Sequence, residues 1–190
     1  TETINCDIVA GCDGVNSSVR ESILDVKNGT ISVKKSRWVY KQFLVSQKKA
    51  KKLSMNPNFA NTWSDKNFVI VAFPNSNKSQ TAILITREGE SSDIDQIYKK
   101  YPELTIFEKE FNKIKDLRFG SFVTIHTTPW FYEDFIVILG DAAHGFNPFF
   151  GQGVSAAMGD AYVLASLINE KNGLENFQKV RKVHMDALGE

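Results

Sequence analysis

The sequence is short of the residues that staple small folds or hold metals. It contains two cysteines, Cys6 and Cys12, at a spacing that suits neither a disulfide framework nor a zinc site. Its three histidines, His126, His144 and His184, are scattered, so no metal cluster is expected. With so few cysteines, a reducing, cytoplasmic setting is the default. No apolar run approaches the roughly 20 residues that a membrane-spanning helix needs, and no segment reads as a signal peptide. Excess charge of one sign is also lacking. The formal net charge is +1, which leaves no global field to recruit nucleic acid or an anionic membrane. The basic cluster Lys48, Lys49, Lys51 and Lys52 has no interleaved aromatic residues to stack on bases, and it reads as a solvated hairpin end.

What is present is an ordinary supply of core-forming residues. Hydrophobic residues at 42% and charged residues at 24% mark a soluble globular chain. Residues 4–10 read as a buried strand ending in Gly11-Cys12-Asp13-Gly14, and Ser17-Ser18-Val19-Arg20 then opens a short helix through Leu24. An early strand behind Thr1 is what a segment of a longer chain would show. Residues 37–46 are rich in β-branched and aromatic types and suit a strand. Further strands are expected near Phe59–Trp63, at Phe68–Phe73 and at Thr81–Thr86, the last two joined by the turn Pro74-Asn75-Ser76-Asn77. Residues 93–116 carry helical spacing broken at Pro102, and Phe119–Thr127 is another strand.

The character then changes. Phe135-Ile136-Val137-Ile138-Leu139 is a continuous apolar run, as in a strand covered on both faces of a parallel sheet. It stops at Gly140-Asp141. A loop rich in glycine and phenylalanine leads to Val154, Ala157, Met158, Ala161, Ala165 and Ile168, whose spacing predicts an amphipathic helix to about Asn169. The expected architecture is mixed α/β. Two pieces of one domain, residues 1–30 and 129–190, flank an inserted antiparallel sheet over residues 31–128.

Two motifs carry a family resemblance. Cys6-Asp7-Ile8-Val9-Ala10-Gly11-Cys12-Asp13-Gly14 with Ser17, Val19 and Arg20 resembles the second fingerprint of the FAD-dependent aromatic hydroxylases. Leu139-Gly140-Asp141-Ala142-Ala143-His144, with Pro148 and Gly151-Gln152-Gly153, resembles the third. Their first fingerprint, a G-x-G-x-x-G turn for the pyrophosphate, is absent. Asn147-Pro148-Phe149-Phe150-Gly151-Gln152-Gly153, Ala72-Phe73-Pro74-Asn75-Ser76-Asn77-Lys78-Ser79 and Tyr40-Lys41-Gln42-Phe43-Leu44-Val45 are similar to stretches of the kynurenine monooxygenases within that family. Gln42 stands where those usually have Glu, and Val154-Ser155-Ala156-Ala157-Met158-Gly159-Asp160 where they usually have Met-Asn-Ala-Gly-Phe-Glu-Asp.

The resemblance implies a Rossmann-like FAD domain that lacks its amino-terminal part, with a substrate domain inserted in it. It implies hydroxylation of a small aromatic substrate, L-kynurenine to 3-hydroxykynurenine, by NADPH and O2 through a flavin C4a-hydroperoxide in the full-length parent. The chain on its own would be inactive. Another aromatic hydroxylase of the family, or an inactive scaffold, stays open as an alternative. By the same resemblance Asp13, Asp141, Gly151, Gly153, Val154 and Ser155 would bind FAD. Phe43, Val45, Phe59, Pro148, Phe149 and Gln152 would surround the substrate ring, with Lys41 on the same face able to meet a carboxylate. The elementary physics is compatible. Asp141, an acceptor-only carboxylate at a strand's carboxyl end, suits sugar-like hydroxyls, and the helix starting near Val154 aims its positive end at a ring that gains negative charge on reduction. His144 is read as a packing or capping residue.

Overall fold

The structure is a computed structural model that describes residues 2–89, 94–148 and 151–189. The chain divides into two compact units, residues 1–36 with 122–190, and residues 37–121. The division falls inside two long strands, β2 (Thr30–Val45) and β6 (Gly120–Thr128). Residues 30 and 128, the boundaries expected from the sequence, are the outer ends of these two strands.

The first unit is built on a short sheet. β1 (Val9–Gly11) runs parallel to β8 (Ile136–Ile138), with Val9 opposite Ile136 and Gly11 opposite Ile138. β7 (Phe131–Tyr132) adds an antiparallel edge, giving the order β1-β8-β7. Helices α1 (Ser18–Lys27), α5 (Asp141–His144), α6 (Gly153–Leu167) and α7 (Gly173–Gly189) complete it. Within the apolar run around β8, Val137 and Ile138 are fully inaccessible and Leu139 is buried, while Phe135 at its start is 42% exposed. The strand expected over residues 4–10 is shorter and more open. Only Val9–Gly11 pairs, and Ile4 is 78% exposed, because β1 has a single neighbour in this sheet. Gly11 is required by close packing: a Cβ there would lie 2.8 Å from the Val19 side chain and 2.9 Å from Ile138. Helix α7 was not apparent in the sequence. Its inward residues Leu174, Phe177 and Met185 are interrupted by exposed Val180 and Val183, which blurs the helical period.

The second unit carries the strands β3 (Asn61–Ser64), β4 (Phe68–Pro74) and β5 (Gln80–Arg87), with the pairs β3–β4, β4–β5 and β5–β2 antiparallel, within a five-stranded order β3-β4-β5-β2-β6. Residues 93–116 resolve into α3 (Ile94–Lys100), a 3-10 turn (Pro102–Phe107) that starts at Pro102, and α4 (Glu108–Ile114). Phe43 packs edge-on against Phe107 and Phe111, with centroids 5.5 and 5.3 Å apart, in a core that includes Val45, Ile70 and Leu84.

The lysine-rich stretch is a helix, α2 (Gln47–Lys52), and not a hairpin end. The Ser46 hydroxyl caps it by accepting from Lys49 N, and Ala50 turns inward. Lys49 Nζ reaches the carbonyl of Ile106 at 2.6 Å and the Glu110 carboxylate at 2.5 Å. Among the described residues, no helix is long and apolar enough to cross a membrane.

Candidate functional site

Beyond the carboxyl ends of the parallel strands β1 and β8 the backbone turns sharply, the place where open α/β sheets put their ligands. Leu139 N donates to Gly11 O at 3.1 Å, holding the two strand ends together. Gly140 follows with φ +59, and a Cβ there would approach that of Ala157 to 3.2 Å. Both restrictions favour glycine. The turn leaves Asp141 exposed at the start of α5.

A buried carboxylate fixes this turn. Asp160 in α6 is fully inaccessible and accepts from Gly140 N at 2.9 Å, His144 Nε2 at 2.5 Å and Arg181 Nε at 2.7 Å. Burial pushes its carboxyl up, but the hydrogen bond and charge of His144, with the bonds from Gly140 and Arg181, outweigh that and hold it below the ordinary range. The His144 ring lies between Trp130 and Phe146, with the Phe146 ring stacked on it at an interplanar angle of 14°. His144 therefore braces the turn, while Asp160 and Arg181 went unnoticed in the sequence because nothing local marks them as partners.

The second motif is anchored in the same way. Asp13 Oδ2 accepts from Ser18 N at 2.8 Å and Val19 N at 3.3 Å at the start of α1. Slight burial raises its carboxyl, but these bonds and the Ser17 hydroxyl prevail and lower it. Asp13 thus serves the helix start, while its neighbours Cys12 and Gly14 line the cavity beyond the strand ends. Arg20 is buried and donates to the carbonyls of Val15 at 2.7 Å and Ala142 at 3.0 Å.

That cavity encloses about 490 Å³ and is lined by Cys12, Gly14, Gly140, Asp141, Val154 and Met158, among others. Helix α6 begins at its rim. No side chain among the described residues caps it, so its first backbone N–H groups and positive dipole end lie there. The apolar residues Val154 and Met158 face away from the core. Val154 is 78% exposed and Met158 68%, while Ala156, Asp160 and Leu164 turn inward. The Asp160 bonds set that rotation, and they leave an apolar surface on the cavity side.

Of the other residues singled out from the sequence, Gly151, Gln152, Gly153, Val154 and Ser155 lie together at the start of α6, next to Pro148, whose carbonyl accepts from Gly151 N at 2.8 Å. Phe149 falls outside the described residues. Phe43 and Val45 do not floor a pocket. They are core residues beneath the helices of the second unit, whereas Phe59 is 69% exposed and outside that core. The uncovered face carries Gln42 opposite Ile83, and Leu44 opposite Thr81.

The strand-end cavity suits a flat, amphipathic group. It offers an exposed carboxylate, a helix start that no described side chain caps, an apolar wall and open backbone at Gly153, where an added Cβ would meet nothing within 4 Å. A family model described as an FAD binding domain matches residues 1–173. The chain belongs to the FAD-binding domain family. Within reach of that family, it is 27% identical to kynurenine 3-monooxygenase of Dictyostelium discoideum, a match covering 100% of this chain and 47% of the relative. The Drosophila willistoni kynurenine 3-monooxygenase is 30% identical, over 86% of this chain and 38% of its own length. The chain thus spans less than half the length of these curated relatives. Among solved structures, 2-methyl-3-hydroxypyridine-5-carboxylic acid oxygenase superposes with a TM-score of 0.78 at 23% identity, covering 97% of this chain and 52% of that one. HpxO of Klebsiella pneumoniae, complexed with FAD and uric acid, gives 0.70 at 19%, covering 96% and 49%. At these identities the likeness establishes the FAD-binding fold.

Proposed function

We propose that this chain forms the ring-side part of an FAD site in an aromatic monooxygenase. The whole protein would convert L-kynurenine to 3-hydroxykynurenine, with NADPH as hydride donor and O2 as oxidant. The observation that carries the reading is the strand-end cavity with Asp141 and the uncapped start of α6, in a chain whose relatives include kynurenine 3-monooxygenases.

Bound FAD would supply the two-electron chemistry and oxygen activation that side chains lack. The chain's own residues would bind and orient it. Asp141 would accept hydrogen bonds from ribityl hydroxyls. The backbone of Gly153, Val154 and Ser155 would donate to the ring edge where negative charge builds, the preorganised arrangement that stabilises an anion without reorientation. Val154 and Met158 would cover the ring with apolar surface, and Pro148, Gly151 and Gln152 would border the substrate and keep water away. His144 has a structural part in this scheme, because its Nε2 is engaged by Asp160. Phe43 and Val45 are given no contact with the substrate in this scheme, since both are packed in the core of the second unit.

The test is turnover by the whole protein supplied with FAD, NADPH and L-kynurenine under 18O2. One labelled oxygen in 3-hydroxykynurenine is expected. NADPH oxidation without any hydroxylated kynurenine, in protein that retains its flavin, would remove the substrate assignment.

A further inference from the structure

A separate cavity lies within the second unit, on the helix-covered side of its sheet. Lys41 projects into that side from β2 and is 7% exposed, a burial that lysine rarely tolerates without an anionic partner. Its Nζ donates to the backbone carbonyl of Lys115 at 2.6 Å and stands 4.3 Å from the centre of the Phe119 ring. An ammonium carries three donors, and the Lys115 carbonyl is the one acceptor it meets among the described residues. Neither neighbour bears a negative charge. Burial drives the Lys41 ammonium toward its neutral form more strongly than Asp116, acting through space, sustains its charge. Beside it opens a cavity of about 210 Å³, walled by Leu84, Ile94, Phe111, Ile114 and Phe119, with the exposed Lys115 at its edge.

We propose that this cavity binds a small apolar carboxylate, one aromatic ring or a short acyl chain in size, whose carboxylate meets Lys41 Nζ. Each part of that description has a cause. The walls are aliphatic and aromatic, so the body of the ligand is apolar. The lone buried ammonium selects a single negative charge, and a charge-assisted bond gains strength where water is excluded. A dianion such as phosphate would press polar oxygens against the apolar walls. A neutral hydrocarbon would leave the ammonium without a counter-charge. The volume is below the range of about 300–1,000 Å³ usual for drug-sized ligands, which limits the guest to a single ring. The inference does not rest on the flavin reading, since every residue it uses belongs to the second unit.

The experiment is a titration of the 15N-labelled 190-residue chain with sodium benzoate and with benzamide, at constant ionic strength, followed by amide chemical shifts. Benzoate should give saturable shifts at Ile94, Lys115 and Phe119, with an affinity about tenfold above that of benzamide, the factor expected for one charge-assisted bond. Lys41→Met should bring benzoate down to the benzamide level. Ile114→Phe fills the cavity while keeping the ammonium, and should weaken both ligands. The proposal is overturned if benzoate produces no saturable shift up to roughly 10 mM, well above the millimolar range of weak specific binding. Equal affinity for the two ligands, shifts confined to the neighbourhood of Gly140 and Val154, or benzoate binding undiminished in both variants would overturn it too.

Discussion

The Arg20 guanidinium donates to the backbone carbonyl of Ala142, 122 residues further along the chain, at 3.0 Å. Its other terminal nitrogen donates to Val15 O at 2.7 Å. One side chain therefore ties the loop after β1 to the helix after β8, and the cavity opens beyond these two strand ends. Arg20→Ala would leave two carbonyls without their donor, at a cost of about 1–3 kcal/mol each when buried. Arg20→Lys should recover little, because an ammonium cannot span two carbonyls as a planar fork does. Urea denaturation of both variants measures this. Wild-type stability in Arg20→Lys would show that a single contact suffices.

Asp160 makes the stability of the first unit dependent on pH. An unfolded Asp titrates at about 3.9, and the folded carboxyl of Asp160 lies lower. Below that unfolded value the unfolded chain binds more protons, so stability falls as pH falls through this window and is full above it. Asp160→Asn should remove this component and cost about 3 kcal/mol near neutral pH, the penalty for leaving a buried cation without its partner. Denaturation midpoints between pH 3 and pH 6 for wild type and variant provide the check. Parallel pH profiles would mean that Asp160 does not contribute to acid sensitivity.

The contrast between Phe43 and Leu44 tests which face of the sheet is covered. Phe43 is buried against Phe107 and Phe111, so Phe43→Ala should destabilise by about 3–5 kcal/mol. Leu44 lies on the opposite, exposed face, and Leu44→Ala should stay within about 0.5 kcal/mol of wild type. Thermal melts of the two variants distinguish the faces. A large loss at Leu44 would mean that the face is covered after all.

These two residues also mark the limit of what could be read from the sequence. The alternation across residues 39–45 was legible because a strand's period is two, but the covered face was not. Phe43 and Leu44 are both apolar, and the helices that choose between them come much later in the chain. Helix α6 posed the same ambiguity, with apolar residues at Val154 and Met158 on one side and at Ala156 and Leu164 on the other. Asp160 decides it, through Arg181 and His144, which become its neighbours only in the tertiary fold. The motifs around Asp13 and Asp141 were legible because a glycine that must turn or pack closely leaves its mark in the local sequence. What each carboxylate does was not, since Asp13 proves to serve the start of α1.

Asp141 should matter to the cofactor and not to the fold. In the whole protein, Asp141→Ala is expected to weaken FAD retention by about 1–3 kcal/mol, the worth of charge-assisted hydrogen bonds. Flavin occupancy after dialysis reports this, and occupancy equal to wild type would reduce Asp141 to a strand-end cap. The 190-residue chain alone contains no G-x-G-x-x-G turn. It should therefore bind FAD far more weakly than the whole protein, and submicromolar quenching of flavin fluorescence would contradict that.

The most direct measurement is flavin retention by the whole protein carrying Val154→Glu. Val154 is exposed at the start of α6 and lines the strand-end cavity, so the substitution should leave the apoprotein's melting temperature near wild type. If the flavin ring rests there, a carboxylate at this position confronts the ring where negative charge must be accommodated. The expected result is loss of the visible flavin absorbance after gel filtration, with unchanged apoprotein stability. Retention of flavin at the wild-type level would place the ring elsewhere and contradict the assignment of this cavity.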